Sequence, residues 1–79
     1  MLILYTKTVC PWCIEVRDFL LENKVVFEER NVVEDPLFME EMISKSNQTK
    51  APTLDLDGKI LADAGEDEVR EFLKIEGVI

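Results

Sequence analysis

Histidine is absent and cysteine is scarce: Cys10 and Cys13 are the only two thiols in 79 residues. A tetrahedral zinc or iron site takes four ligands of cysteine or histidine type, so this chain cannot close one alone. Only a dimer pooling four thiolates could hold an iron–sulfur cluster, and no metal is expected. Positive charge is scarce too. Nine Lys and Arg stand against 17 Asp and Glu, a net charge of −8. Such a surface repels phosphate, which argues against nucleic acid as a partner and suits a basic protein. Residues 1–24 are balanced, with Lys7, Arg17 and Lys24 against Glu15, Asp18 and Glu22, so the whole excess lies further along. Solvated helix faces account for most of it.

Long apolar runs are missing as well. Nothing approaches the ~20 residues of a membrane span. The start, "MLILYTKTVC", carries no basic leader. A cytoplasmic protein with no membrane partner is therefore expected. Neither repeats nor linkers interrupt the chain, which reads as a single domain over residues 1–79 and as a monomer.

What is present is a clear succession of elements. "LILYT", residues 2–6, is rich in strand formers and reads as a buried strand. Residues 11–23 read as a helix with Pro11 at its first position. Ile14, Val16, Phe19, Leu20 and Leu21 form its inner side, and Glu15, Asp18 and Glu22 its outer side. "VVFEERNVV", residues 25–33, reads as a second strand. Residues 35–46 read as a helix capped by Asp35, with Pro36 first and Leu37, Phe38, Met42 and Ile43 facing in. Asp57-Gly58 is a hairpin turn between strands 53–56 and 59–62. "DEVREFLKIEG" closes the chain as a helix, with Val69, Phe72 and Leu73 facing in and Gly77 just past its end. The order β-α-β-α-β-β-α predicts an α/β fold. A right-handed crossover makes the first two strands parallel, and the hairpin completes a four-stranded mixed sheet flanked by helices.

The two thiols lie in "TKTVCPWCIEV", separated by two residues. A disulfide there closes so short a loop that it removes little chain entropy, so it is a poor structural staple. In a reducing compartment a close pair is more often catalytic or metal-binding. Cys10 follows a strand and a turn and precedes a helix, which puts its sulfur near free helix N–H groups and the positive end of the helix dipole. Both favour the thiolate, the attacking species in disulfide exchange. Cys13 lies one helical turn on, on the same face and deeper. The expected roles follow: Cys10 attacks a substrate disulfide, and Cys13 resolves the mixed disulfide. Pro11 holds the turn. Trp12 offers a flat surface to a peptide-like substrate, or serves as a half-buried anchor. Lys7 could stabilise the thiolate or bind a carboxylate, or be an ordinary surface lysine.

These motifs resemble the glutaredoxins, a family of the thioredoxin-fold superfamily. "KTVCPWC" is close to the family's Lys-x-x-Cys-Pro-Tyr-Cys, with Trp12 in the tyrosine position, and the element order matches over nearly the whole chain. "TKAPT" occupies the place of the family's Thr-Val-Pro, and "ADAGEDEV" stands where the family has a Gly-Gly pair and a helix start. The resemblance implies a glutaredoxin-type thiol–disulfide oxidoreductase with no bound cofactor and glutathione as co-substrate. It implies a cis Pro52 opposite the cysteines, aiming the Ala51 backbone at a substrate strand. It places the glutathione γ-glutamyl carboxylate on the backbone N–H groups of Glu66 and Asp67, after Gly65, with Ala64 in the place of the first glycine. The basic group the family carries in this loop is replaced by Gln48 and Thr49, and Lys50, in the threonine position, could reach the same carboxylates instead. Partners would be glutathione or disulfide-bearing proteins, with electrons from glutathione reductase through glutathione. The alternative is a glutaredoxin-like electron donor reduced by thioredoxin reductase that binds glutathione weakly. A binding protein that docks a partner through CPWC without turnover is a third class.

Overall fold

A computed structural model describes residues 1–79. The elements are β1 (Leu2–Thr6), α1 (Pro11–Glu22), β2 (Phe27–Asn31), α2 (Pro36–Ser46), β3 (Thr53–Leu56), β4 (Lys59–Leu61) and α3 (Glu66–Ile75). They form one sheet in the order β2-β1-β3-β4. β1 runs parallel to β2 and antiparallel to β3, and β3 and β4 make the hairpin. The α/β fold is thioredoxin-like, as the element order predicts.

Alternation along β1 decides which helix covers which face. Leu2 and Leu4 join Leu54 against Val16, Phe19 and Leu20 of α1 and Val69 and Leu73 of α3. Tyr5 points the other way and packs with Val32 and with Met42 of α2. One face of the sheet thus carries α1 and α3, the other α2. Burying each of Leu4, Leu20, Leu54 and Leu73 contributes roughly 1.5–3 kcal/mol.

Several elements are shorter or turned differently from the sequence expectation. β2 covers five residues instead of the nine in "VVFEERNVV". The N–H of Val25 closes the end of α1 on the Leu20 carbonyl, 3.0 Å away. At the far end the Asn31 side-chain oxygen accepts the N–H groups of Val33 and Glu34, at 2.9 and 3.1 Å, turning the chain out of the strand. In α1, Ile14 and Leu21 are exposed, because the buried stripe runs through Cys13, Val16, Phe19 and Leu20 and one sheet face covers no more. In α2, Leu37 and Ile43 are exposed while Phe38 and Met42 face the sheet. Residue 62 lies outside β4, and α3 begins one residue earlier than read, at Glu66.

Between α2 and the sheet lies a polar network. Lys45 Nζ donates to Asp55 Oδ2 at 2.6 Å and to the Tyr5 hydroxyl at 2.8 Å. The Tyr5 hydroxyl donates to Glu41, whose carboxylate also pairs with Arg30. Burial pushes the Asp55 carboxyl up, but the hydrogen bonds from Lys45 and the Gly58 N–H outweigh it and hold the group below the usual range. Burial likewise opposes the charge on Lys45, yet its bonds to Asp55 and Tyr5 raise it overall. Glu41 is held low in the same way, its bonds from Tyr5 and Arg30 prevailing over burial. Burial raises Tyr5.

Candidate redox site

The site grows from the turn between β1 and α1. Cys10 is the N-cap of α1, in extended backbone at φ −131° and ψ 100°, and Pro11 follows at the first helical position. Proline suits that position because its missing N–H would have no partner there. Cys10 and Cys13 are joined in a disulfide with Cα atoms 5.2 Å apart. The Cys10 sulfur accepts the backbone N–H of Cys13 at 3.2 Å. Cys13 is fully buried, and Cys10 is partly exposed.

Opposite this turn the chain enters β3 through a cis Ala51–Pro52 bond. Gln48 shapes the approach. Its side chain accepts the Lys50 N–H at 2.7 Å and donates to the Lys50 carbonyl and to Thr53 Oγ1, both at 3.1 Å. Thr53 Oγ1 also donates to the Lys50 carbonyl at 2.8 Å. The segment leading into α3 is tied to the same place by the Ala64 N–H on the Pro52 carbonyl, at 3.0 Å.

Trp12 is the common wall of three adjoining hollows. The first, about 260 Å³, is lined by Trp12, Ala51, Pro52, Asp63, Ala64, Gly65 and Glu68. The second lies over the reactive turn, where Lys7, Cys10, Pro11 and Trp12 meet Lys50 and Ala51. The third joins Trp12 and Glu15 to Gly65, Glu66, Asp67 and Glu68. The residues singled out in sequence are therefore gathered along one groove, with Cys13 beneath it. Trp12 itself is 64% exposed, more than a half-buried anchor would be.

The start of α3 combines donors with carboxylates. The N–H groups of Glu66 and Asp67 donate to no protein atom, as expected of a helix N-terminus. Gly65 has φ −86°, and a Cβ built there would meet only the Glu68 side chain, 4.0 Å away. The Glu68 carboxylate accepts the Gly65 N–H at 3.3 Å. Arg70 pairs with Glu66 at 2.9 Å and Asp67 at 3.1 Å. At the other end of the groove, Lys7 is paired with no carboxylate, and Lys50 Nζ lies 3.9 Å from Asp63.

Four lining residues were not singled out in sequence: Thr8, Val9, Glu15 and Asp63. Asp63 borders the first two hollows and has φ 52°, a left-handed conformation that a short polar side chain tolerates. No turn dipeptide in "ADAG" signals it. Val9 could have been noticed only by its adjacency to Cys10. No group of three or more Cys, Asp or Glu side chains is placed to hold a metal ion. No helix is long and apolar enough to cross a membrane.

Comparison with known proteins agrees with this geometry. The family model for glutaredoxin matches residues 2–61. The chain is 30% identical over 74 residues to the uncharacterized glutaredoxin-like 8.6 kDa protein in the rubredoxin operon of Clostridium pasteurianum, covering 94% of this chain and 99% of that one. It is 32% identical over 56 residues to glutaredoxin 3 of Escherichia coli K12, covering 71% of this chain and 68% of the relative. Among solved structures, a thioredoxin-like protein superposes with a TM-score of 0.84 at 27% identity, over 92% of this chain and 100% of that one. With the cysteine pair at the N-terminus of α1 and a groove above it, the chain belongs to the glutaredoxin family and is a thiol–disulfide oxidoreductase.

Proposed function

We propose that the 79 residues work as one cytoplasmic monomeric unit that reduces disulfides with electrons from glutathione. The observation that carries this reading is the pairing of an accessible Cys10 at a helix N-terminus with a buried Cys13 one turn on. In the reduced protein the Cys10 thiolate attacks one sulfur of a substrate disulfide. The substrate S–S bond breaks, its other sulfur leaves as a thiolate, and Cys10 is held in a mixed disulfide. The Cys13 thiolate then attacks the Cys10 sulfur, the second substrate thiolate leaves, and the Cys10–Cys13 disulfide forms. Two electrons have passed from the dithiol to the substrate, whose thiolates take protons from water. Two glutathione thiols restore the dithiol and become glutathione disulfide.

Lys7 and Lys50 supply cations at one end of the groove, and the Ala51 backbone offers a rung to an extended peptide. The free N–H groups of Glu66 and Asp67 provide an anion site for a glutathione carboxylate. A second reading, reduction by thioredoxin reductase with weak glutathione binding, is favoured by one observation. The Glu68 carboxylate already sits on the Gly65 N–H and adds negative charge where the glutathione carboxylate would arrive. NADPH consumption with a disulfide substrate separates the two. Turnover with glutathione and glutathione reductase, lost in Cys10→Ser, establishes the first. Turnover only with thioredoxin reductase establishes the second.

A further inference from the structure

Val9, immediately before Cys10, has φ 52° and is 93% exposed. A β-branched residue in the left-handed region is a genuine outlier, because its Cβ crowds the backbone. Glycine or asparagine would adopt this conformation with less conflict. The fold gains nothing in return, since the side chain packs on almost nothing in the protein. A strained, exposed residue beside a reactive turn is where a functional contact is to be sought.

The surroundings narrow what that is. Val9 and Trp12 are exposed apolar groups on either side of the partly exposed Cys10, and both line the hollow above it. Beyond Trp12 lie Glu15, Glu66, Asp67 and Glu68. Arg70 pairs with Glu66 and Asp67, which leaves Glu15 and Glu68 without a cationic partner. Resting on disulfide exchange through Cys10, we propose that Val9 is a specificity residue. It selects an extended polypeptide whose cysteine is flanked by an apolar residue on the Val9 side and a basic residue on the Trp12 side. A small disulfide has no side chain to place against Val9. A protein cysteine has neighbours in both directions, and the unpaired carboxylates complement a lysine or arginine.

The test uses the full chain with two substrates: a peptide disulfide bearing leucine and lysine around its cysteine, and 2-hydroxyethyl disulfide. The readout is the ratio of kcat/KM for the peptide to that for the small disulfide. Losing the apolar contact in Val9→Gly should lower this ratio about tenfold, and Val9→Ile should preserve it. Glycine suits the backbone here, so Val9→Gly folds. Replacing the peptide lysine by glutamate should slow the wild-type protein on the peptide. An unchanged ratio in Val9→Gly overturns the role of Val9. So does an equal slowing of both substrates, which would mean that Val9 acts by positioning Cys10. Wild-type protein inactive on both disulfides would instead refute exchange through Cys10 itself.

Discussion

The Cys10 sulfur accepts the Cys13 backbone N–H at 3.2 Å, so the first cysteine caps the helix that carries the second. In the reduced protein, that hydrogen bond and the positive end of the α1 dipole are what would favour a thiolate at Cys10. Cys13 is fully buried.

Reduced protein treated with iodoacetamide at pH 6 should therefore be alkylated at Cys10 well before Cys13. Peptide mapping by mass spectrometry reads the two sites separately. Equal labelling would remove the helix-end argument.

Cys13→Ser should retain reduction of glutathione mixed disulfides, which needs one thiol, and lose reduction of protein disulfides, which needs a resolving thiol. Both rates measured on one preparation decide the matter. Simultaneous loss of both would contradict the division of roles.

Gly65 has an unstrained backbone and room for a Cβ. Gly65→Ala should cost only about 0.5 kcal/mol in a urea melt, since alanine is a poorer N-cap than glycine. If glutathione approaches the N–H groups of Glu66 and Asp67, the same methyl should raise KM for glutathione and leave kcat with a saturating donor near wild type. An unchanged KM would place glutathione elsewhere.

Asp55 is held below its ordinary range by Lys45 and the Gly58 N–H, against the opposing effect of burial. A carboxylate depressed in the folded state stabilises above its unfolded pKa of ~3.9. That contribution is lost as pH falls through the lower folded value. Glu41, also depressed, acts in the same sense. Lys45 has the opposite sign, its contribution being lost only as pH rises past its raised folded value. Stability should therefore hold near neutrality and fall in acid. Asp55→Asn should cost about 2 kcal/mol at pH 7 and flatten the acid fall, read from urea midpoints across pH. A parallel pH profile in the variant would show that Asp55 is not its source.

Much of the fold was legible because period and punctuation agree. Pro11, Pro36 and the Asp57-Gly58 turn mark boundaries that local backbone chemistry enforces, and the structure starts α1 and α2 at those prolines. β2 was read too long because a run of valines states strand preference but not where hydrogen bonds are diverted. The turn at Asn31 and the bond from Val25 to Leu20 decide that.

By itself the sequence determined the element order, the deep placement of Cys13 one turn after Cys10, and an acidic chain with too few cysteines and histidines to close a four-ligand thiolate or imidazole site alone. All of these rest on interactions between residues near in sequence, or on composition. Only the tertiary structure decided that Ile14 and Leu21 face solvent, that Gln48 frames the entry to Pro52, and that Asp63 borders the groove. It also decided that Lys45 meets Asp55 across the α2 face. Each depends on which distant segment arrives as a neighbour, and packing of the sheet settles that where local preference cannot.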